Sequence, residues 1–296
     1  MPVRQDQALR PPQDRPFKQV DVFSATAYRG NALAVVLDGS GLDDEAMQRF
    51  ARWTNLSETT FLLPPSQPGA DYWVRIFTPA GELPFAGHPT LGSCHAWLES
   101  GGVPGQRGMV VQQCELGLVQ IRQQAPRLAF AAPALRRSTP SPALLGQVTE
   151  ALGLRAREVV ATQLLDNGPV WLALLLEQPE TVLRLAPNHA LLKTIGHKVG
   201  VAGIYRDAPA AGTDSPTLEV RAFGAPIGIE EDPVTGSLNA SLAQWLITDG
   251  YLPGAYIAAQ GSKLQRAGRV HIERDAGGQV WVGGESVTCI AGRVAL

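Results

Sequence analysis

The sequence predicts an α+β fold in which two segments repeat one plan: strands, a glycine-containing loop, then a helix rich in small residues. Three observations predict it. Short apolar runs bounded by glycine, proline and asparagine recur along the chain, as in "ALAVVL", "TTFLL" and "WLALLL". Two stretches, "FAGHPTLGSCHAWL" and "EDPVTGSLNASLAQWL", each lead from a loop into a helix. Both helices carry Gly, Ser, Ala and Leu on most faces, which suits burial inside a sheet or barrel rather than a surface position.

The elements follow in order. Residues 1–16, rich in Pro, Gln and Arg, read as a flexible tail. The N-terminal half, 17–130, opens on a short strand in which Val20, Val22 and Ser24 alternate with Asp21 and Phe23. "ALAVVL" is a second strand, and "YRGN" turns between them. "LDDEAMQRFARWTN" reads as a helix: Asp43 and Asp44 can cap or charge its first turn, and Met47, Phe50, Ala51 and Trp53 lie near helical spacing. A strand from Thr59 and "DYWVRIFT" form a hairpin across "PPSQPGA". A loop then runs to Ala86. A helix follows from about Pro89 to Ser100, with proline at its first position and Gly101–Gly102 as its stop. "GMVVQQ", "GLVQIRQ" and "RLAFAA" are strands.

The Pro-rich "APALRRSTPSPAL" reads as a linker into the C-terminal half, 131–296. There "SPALLGQVTEALG" is a helix, and "EVVATQLLDNGPVWLALLLE" gives strands around an Asn-Gly turn. "NHALLKTIGHKVG" is a short helix; "VAGIYRD" and "PTLEVRAFG" are strands. After a loop, a long helix runs from about Thr235 to Gly250, and strands continue to Leu296.

Composition narrows the function classes. With 296 residues, 45% hydrophobic and 18% charged, the chain can bury a sizeable core and is not globally disordered. A formal charge of −2 and no run of Lys or Arg leave no nucleic-acid footprint. No stretch approaches the ~18 apolar residues of a membrane span, and the N-terminus has no apolar signal core. Cys94, Cys114 and Cys289 form neither a zinc spacing nor a disulfide framework, which fits buried thiols in a reducing cytoplasm.

The chemistry gathers at three places. In "TNLSETTFLLPP", Glu58 stands at the mouth of an apolar strand, where a carboxylate is poorly solvated and its pKa rises. His88 lies in the first helix-leading loop and Asp232 in the second. Taken singly each has a plain structural reading: Glu58 a strand-end glutamate reaching solvent, His88 a hydrogen-bonded structural histidine, Asp232 a helix cap. Glu230 and Glu231 read as solvated. The two helix starts offer free N–H groups and positive dipole ends. Gly87 and Gly236 allow close approach, and Thr90, Ser93, Ser237 and Asn239 add donors. If the halves pack symmetrically, both starts point into one cleft suited to a small carboxylate.

The stretches "DVF…GNALAVVL", "NLSETTFLL", "RIFTPAGELPFAGHPTLG", "EEDPVTGS" and "QG…GR", in that order over about Val20 to Arg269, resemble the phenazine-biosynthesis PhzF-like family. That resemblance implies a diaminopimelate epimerase-like fold: two pseudo-symmetric halves, each a curled, mostly antiparallel sheet around a central helix, with the active site between them and the last strand able to return to the first half. It implies Glu58 as general acid/base, His88 and Asp232 lining the same site as catalytic residues, and Gly87, Gly236 and Ser237 binding substrate. It implies an isomerase that moves a proton on a small carboxylate substrate, with no metal, no organic cofactor and a homodimeric assembly.

The match to epimerases of this fold is incomplete, because those enzymes use two facing thiols. Here the first loop reads Ala86-Gly87-His88 and the second Asp232-Pro233, so two-thiol racemisation is not expected. Two other readings compete. A hydrolase would use Ser237, His88 and Asp232 as a triad, but "VTGSLN" is no nucleophile elbow. A non-catalytic module would keep the anion pocket without the chemistry.

Overall fold

Residues 12–206 and 215–296 are described here, from a computed structural model. The tail expected over residues 1–16 ends early. Asp14, Arg15 and Pro16 already belong to strand β1 (Asp14–Val22); residues 1–11 lie outside the described part. β1 pairs antiparallel with β2 (Asn31–Val36). The expected alternation in β1 does not appear, because Asp21 and Phe23 are as buried as Val20 and Val22.

Helix α1 (Asp44–Thr54) is capped by Asp43, whose carboxylate accepts the Ala46 N–H at 2.8 Å. Met47, Phe50 and Ala51 face Phe61 and Phe77. Trp53 stays exposed and stacks on Phe50. Strand β3 (Thr59–Leu63) lies parallel to β2, and β4 (Tyr72–Phe77) returns antiparallel to β3. The two-residue β5 (Glu82–Leu83) precedes α2 (Gly87–Glu99). This helix begins two residues before the expected start, so Pro89 stands third in it. A missing N–H is harmless there too, because the first turn has no helical acceptors. β6 (Met109–Cys114) is parallel to β4, and β7 (Gly117–Gln124) and β8 (Arg127–Ala131) follow as an antiparallel meander.

Part of the expected linker is a strand, β9 (Arg136–Ser138), paired with β10 (Val159–Asp166) beyond α3 (Pro142–Leu152). β11 (Val170–Leu176) completes a hairpin with β10 around Asn167-Gly168. The chain crosses through α4 (Pro179–Arg184) and α5 (His189–Ile195) to β12 (Lys198–Ile204), which runs parallel to β11. β13 (Leu218–Gly224) follows. A short strand, β14 (Ile229–Asp232), occupies ground expected to be loop, and it delivers Asp232 at its end. α6 (Gly236–Thr248) leads to β15 (Ala255–Gln260), parallel to β13, and then to β16 (Gly268–Arg274), β17 (Val280–Gly284) and β18 (Ser286–Ala295).

The result is a mixed, mostly antiparallel sheet with few helices, the α+β class. β8 pairs with β17, and β18 lies along β1. The four parallel pairs mark crossovers: β2–α1–β3, β4–α2–β6, β11 through α4 and α5 to β12, and β13–α6–β15. α2 is enclosed by β1, β2, β3, β4, β6, β8 and β18, while α6 meets β10, β16 and β17. Their small residues let strands approach on many sides, and Leu91, Leu238, Leu242 and Leu246 are fully buried. Burying each such leucine stabilises the fold by about 1.5–3 kcal/mol. α1, α3, α4 and α5 cover the other face of the sheet over separate apolar clusters around Phe61 and Leu174.

Candidate active site

The two inner helices meet at their first residues. A Cβ built on Gly87 would lie 2.9 Å from the Gly236 Cα and 2.9 Å from the Phe130 ring; one built on Gly236 would lie 2.9 Å from the Gly87 Cα. The close approach these glycines permit is therefore first of all to each other. It brings two sets of N–H groups without helical acceptors, and two positive dipole ends, to one point.

Glu58 and His88 face each other beside that point. Glu58 is the last residue before β3, whose next four residues are buried, so its side chain has apolar protein behind it and is 13% exposed. His88, in the first turn of α2, is 5% exposed. Glu58 Oε2 stands 3.3 Å from His88 Nε2, yet both atoms are buried without an aligned hydrogen-bond partner. Burial, reinforced by the charge of Asp232, raises the Glu58 carboxyl from 4.5 to about 8, against the opposing pull of Ser57 and Lys198. Burial drives the His88 imidazole down to about 3, so the ring is neutral at physiological pH.

Asp232 is held where Glu58 is not. Its Oδ1 accepts from Asn31 Nδ2 at 2.9 Å and its Oδ2 from Thr235 Oγ1 at 2.6 Å. Burial raises its pKa to about 6, with those bonds and Lys198 opposing. Gln260 ties the loop behind it: Nε2 donates to the Asp232 carbonyl and to Thr235 Oγ1, and Oε1 accepts from the Thr235 N–H and from Asn239. Asn31 joins the two helix starts. Its amide nitrogen also donates to the Val234 carbonyl at 2.9 Å and lies 3.4 Å from His88 Nδ1. Because that NH₂ group can only donate, the facing His88 Nδ1 is assigned as the unprotonated nitrogen, which leaves the ring proton on Nε2, toward Glu58. Near neutral pH the site thus holds a protonated Glu58, a neutral His88 and an ionised Asp232.

Ser237, in the first turn of α6, accepts the Trp171 indole N–H on its Oγ at 3.2 Å, and its carbonyl accepts from Asn167 at 3.0 Å. Its own hydroxyl proton is left for another acceptor. Lys198 stands next to Trp171 in the β11–β12 register, with Nζ 5.5 Å from the indole ring. Two of the other expected donors are spent inside the protein: Ser93 donates to Thr60, and Asn239 donates to the Thr235 carbonyl and to Gln260, while Thr90 is fully buried and accepts from Gln112. Glu231 is not solvated, as the sequence suggested, but pairs bidentately with Arg221, the two side chains being 8% and 4% exposed. That pair anchors β14 next to Asp232. His88 is placed against Glu58 and Ser237 against Trp171, so a Ser237–His88–Asp232 relay is not formed.

Sequence reasoning missed Asn31, Trp171, Asn167 and Lys198. Asn31 lies in the quoted "GNALAVVL" but offers no chemistry until Asp232, 201 positions later, arrives beside it. Lys198 and Trp171 sit in ordinary strands, with no local signal of a role. Among the described residues no three His, Cys, Asp or Glu side chains converge as a metal cluster, and no helix is long and apolar enough to cross a membrane.

The chain is similar to known proteins over nearly its whole length. The sequence profile of the family described as "Phenazine biosynthesis-like protein" matches residues 20–292. "Antisense-enhancing sequence 1" of Schizosaccharomyces pombe is 35% identical over 291 residues, covering 94% of this chain and 97% of that protein. The trans-2,3-dihydro-3-hydroxyanthranilate isomerase of Pseudomonas aeruginosa is 30% identical over 291 residues, covering 94% and 98%. The crystal structure of a PhzF-family phenazine biosynthesis protein from Bacillus anthracis superposes with a TM-score of 0.81 at 21% identity, over 96% of this chain and all (100%) of that one, which establishes likeness of fold.

Proposed function

The chain belongs to the phenazine biosynthesis-like family, and from that premise we propose that it is an isomerase that relocates a proton on a small carboxylate substrate, with no cofactor, by general acid/base catalysis. The observation that carries the reading is the Glu58–His88 pair. An elevated carboxyl lies 3.3 Å from a neutral imidazole, neither reactive atom has an aligned partner, and both lie beside two abutting helix starts. A carboxyl that titrates near 8 can both take and return a proton close to neutral pH.

In this reading the substrate carboxylate rests on the N–H groups of Gly87 and Gly236 and on the Ser237 hydroxyl. The ionised fraction of Glu58 takes a proton from carbon; the C–H bonding pair moves into the substrate's unsaturated system. The Glu58 carboxyl exchanges its proton with solvent and then delivers a proton to another carbon, so one proton is taken and one returned and atoms and charge balance within one turnover. His88, neutral and donating through Nε2, steadies the Glu58 carboxylate while it is charged. Asp232 stays ionised above about 6 and, through Asn31, fixes the His88 ring. General acid/base help of this kind supplies roughly 10²–10⁴-fold in rate. The site is taken to lie between an N-terminal half, 17–130, and a C-terminal half, 131–296, in a homodimeric cytoplasmic protein; these too are part of the proposal.

The test uses the substrate named for the Pseudomonas relative. The protein is incubated in D₂O with trans-2,3-dihydro-3-hydroxyanthranilate and with other unsaturated cyclic carboxylates, and mass spectrometry follows deuterium uptake. Incorporation that vanishes in Glu58→Gln supports the reading. Binding of these carboxylates with no incorporation by the wild type refutes it and leaves a non-catalytic anion-binding protein.

A further inference from the structure

One group at the site has no part in the proton transfer. Lys198, the first residue of β12, stands beside Trp171 in the parallel β11–β12 register, and its ammonium lies 5.5 Å from the indole ring centre. That indole is itself fixed, because its N–H donates to Ser237 Oγ at 3.2 Å. Trp171 therefore touches both Lys198 and, through its N–H, Ser237 at the start of α6. The ammonium makes no ion pair and no hydrogen bond among the described residues, although Glu58 and Asp232 both act on it through space. A lysine serving only solubility would extend into water. This one is half-buried over an aromatic face, with three donors and no acceptor.

The charge balance around it has a consequence. An incoming carboxylate meets the ionised Asp232 and, in the reactive state, an ionised Glu58. Two helix starts and one hydroxyl offset that repulsion with partial charges only. Lys198 is a nearby full positive charge: its ammonium lies 5.5 Å from the ring whose N–H holds Ser237, and the charges of Glu58 and Asp232 both reach it. We infer that Lys198 determines specificity for an anionic substrate: it pairs with the carboxylate that Ser237 and the α6 start receive, so that an acid is bound in preference to its neutral amide. The inference rests on the proposed use of the site for a small carboxylate.

Anthranilate and 2-aminobenzamide test it, since they differ only in the charged group. Binding of each is measured by titration calorimetry to the wild type, Lys198→Met and Lys198→Arg, with circular dichroism confirming the fold of each variant. Lys198→Met is expected to weaken anthranilate about 10- to 100-fold, as loss of a charge-assisted hydrogen bond does. 2-Aminobenzamide should be unaffected, and Lys198→Arg should restore most of the preference. Equal weakening of both ligands, which a merely structural lysine would give, overturns the inference. So does unchanged anthranilate binding, or a wild type that takes the amide as well as the acid. Failure of the two readings is distinguishable. Glu58-dependent deuterium uptake with Lys198-independent binding removes this inference alone; Lys198-dependent binding with no uptake removes the proton-transfer reading alone.

Discussion

At the start of α2, His88 presents a buried Nε2 that has no aligned partner, toward a Glu58 oxygen in the same condition. At the start of α6, Asp232 is bound on both oxygens, and Gln260 ties the loop with four hydrogen bonds. The two helix starts are alike in backbone: each is a glycine in van der Waals contact with the other. They differ in how far their polar groups are satisfied. Unsatisfied buried groups cost stability, on the order of 1–3 kcal/mol each, and they are kept where a site needs a donor or acceptor free for its chemistry. On the proposed reading the first start carries the proton chemistry and the second holds its partner still.

The contrast can be broken from either side. The largest effect is expected at the open side. Glu58→Gln keeps the shape and removes the exchangeable carboxyl proton, so kcat should fall about 10²–10⁴-fold with ligand binding little changed, as steady-state kinetics would report. Retention of wild-type turnover would remove Glu58 from the mechanism.

On the held side, Arg221→Met strips the partner from the buried Glu231 next to Asp232. Leaving such a charge unpaired is expected to destabilise the protein by about 3–5 kcal/mol, read by urea denaturation. A loss under ~1 kcal/mol, the range of a surface pair, would mean that β14 is held by other contacts.

Glu58→Gln should also change stability, in a direction that depends on pH. The carboxyl titrates at about 8 when folded and near 4.5 when unfolded, so between those values the folded state binds the extra proton. Wild-type stability therefore falls as pH rises through that window, and the glutamine variant avoids the loss. The variant should match wild type near pH 4.5 and exceed it at pH 8 by a few kcal/mol, since each pH step of one across the window is worth roughly 1.4 kcal/mol. Equal denaturation midpoints at both pH values would show that Glu58 is solvated.

The smallest effects test the shared feature. Gly87→Ala and Gly236→Ala each force a methyl to 2.9 Å from the opposing Cα. Overpacking of this kind costs about 1–3 kcal/mol, and thermal melts should show the two substitutions destabilising by similar amounts. A neutral alanine at either position would mean that the helix starts have room to separate.

Much of this was legible in the chain. The apolar runs of β2, β3, β6 and β11 are continuous enough to be read as buried strands. Asp43 announces α1 by its side-chain cap, and in the structure Ser141 and Asn188 cap α3 and α5 in the same way. Glu58, His88 and Asp232 stand in the motifs that carry the resemblance, and the structure brings them together with Gly87, Gly236 and Ser237. What misled were segments whose role depends on distant partners. Arg136–Ser138 looks like a linker until β10 pairs with it, and Ile229–Asp232 looks like a loop until β13 does. Glu231 looks solvated until Arg221 meets it.

The sequence by itself determined the local elements, the two small-residue helices and the residue types able to move a proton, because periodicity, capping and side-chain chemistry act over a few neighbouring positions. Only the tertiary structure decided which of those residues touch. The bond from Asn31 to Asp232, the contact of Gly87 with Gly236, and the contacts of Trp171 with Lys198 and Ser237 join positions far apart in the chain. The elevated Glu58 carboxyl belongs to both classes. The apolar strand beside it gives the direction of the rise, while the burial that packing completes and the charge of Asp232 on another strand come only from the tertiary structure.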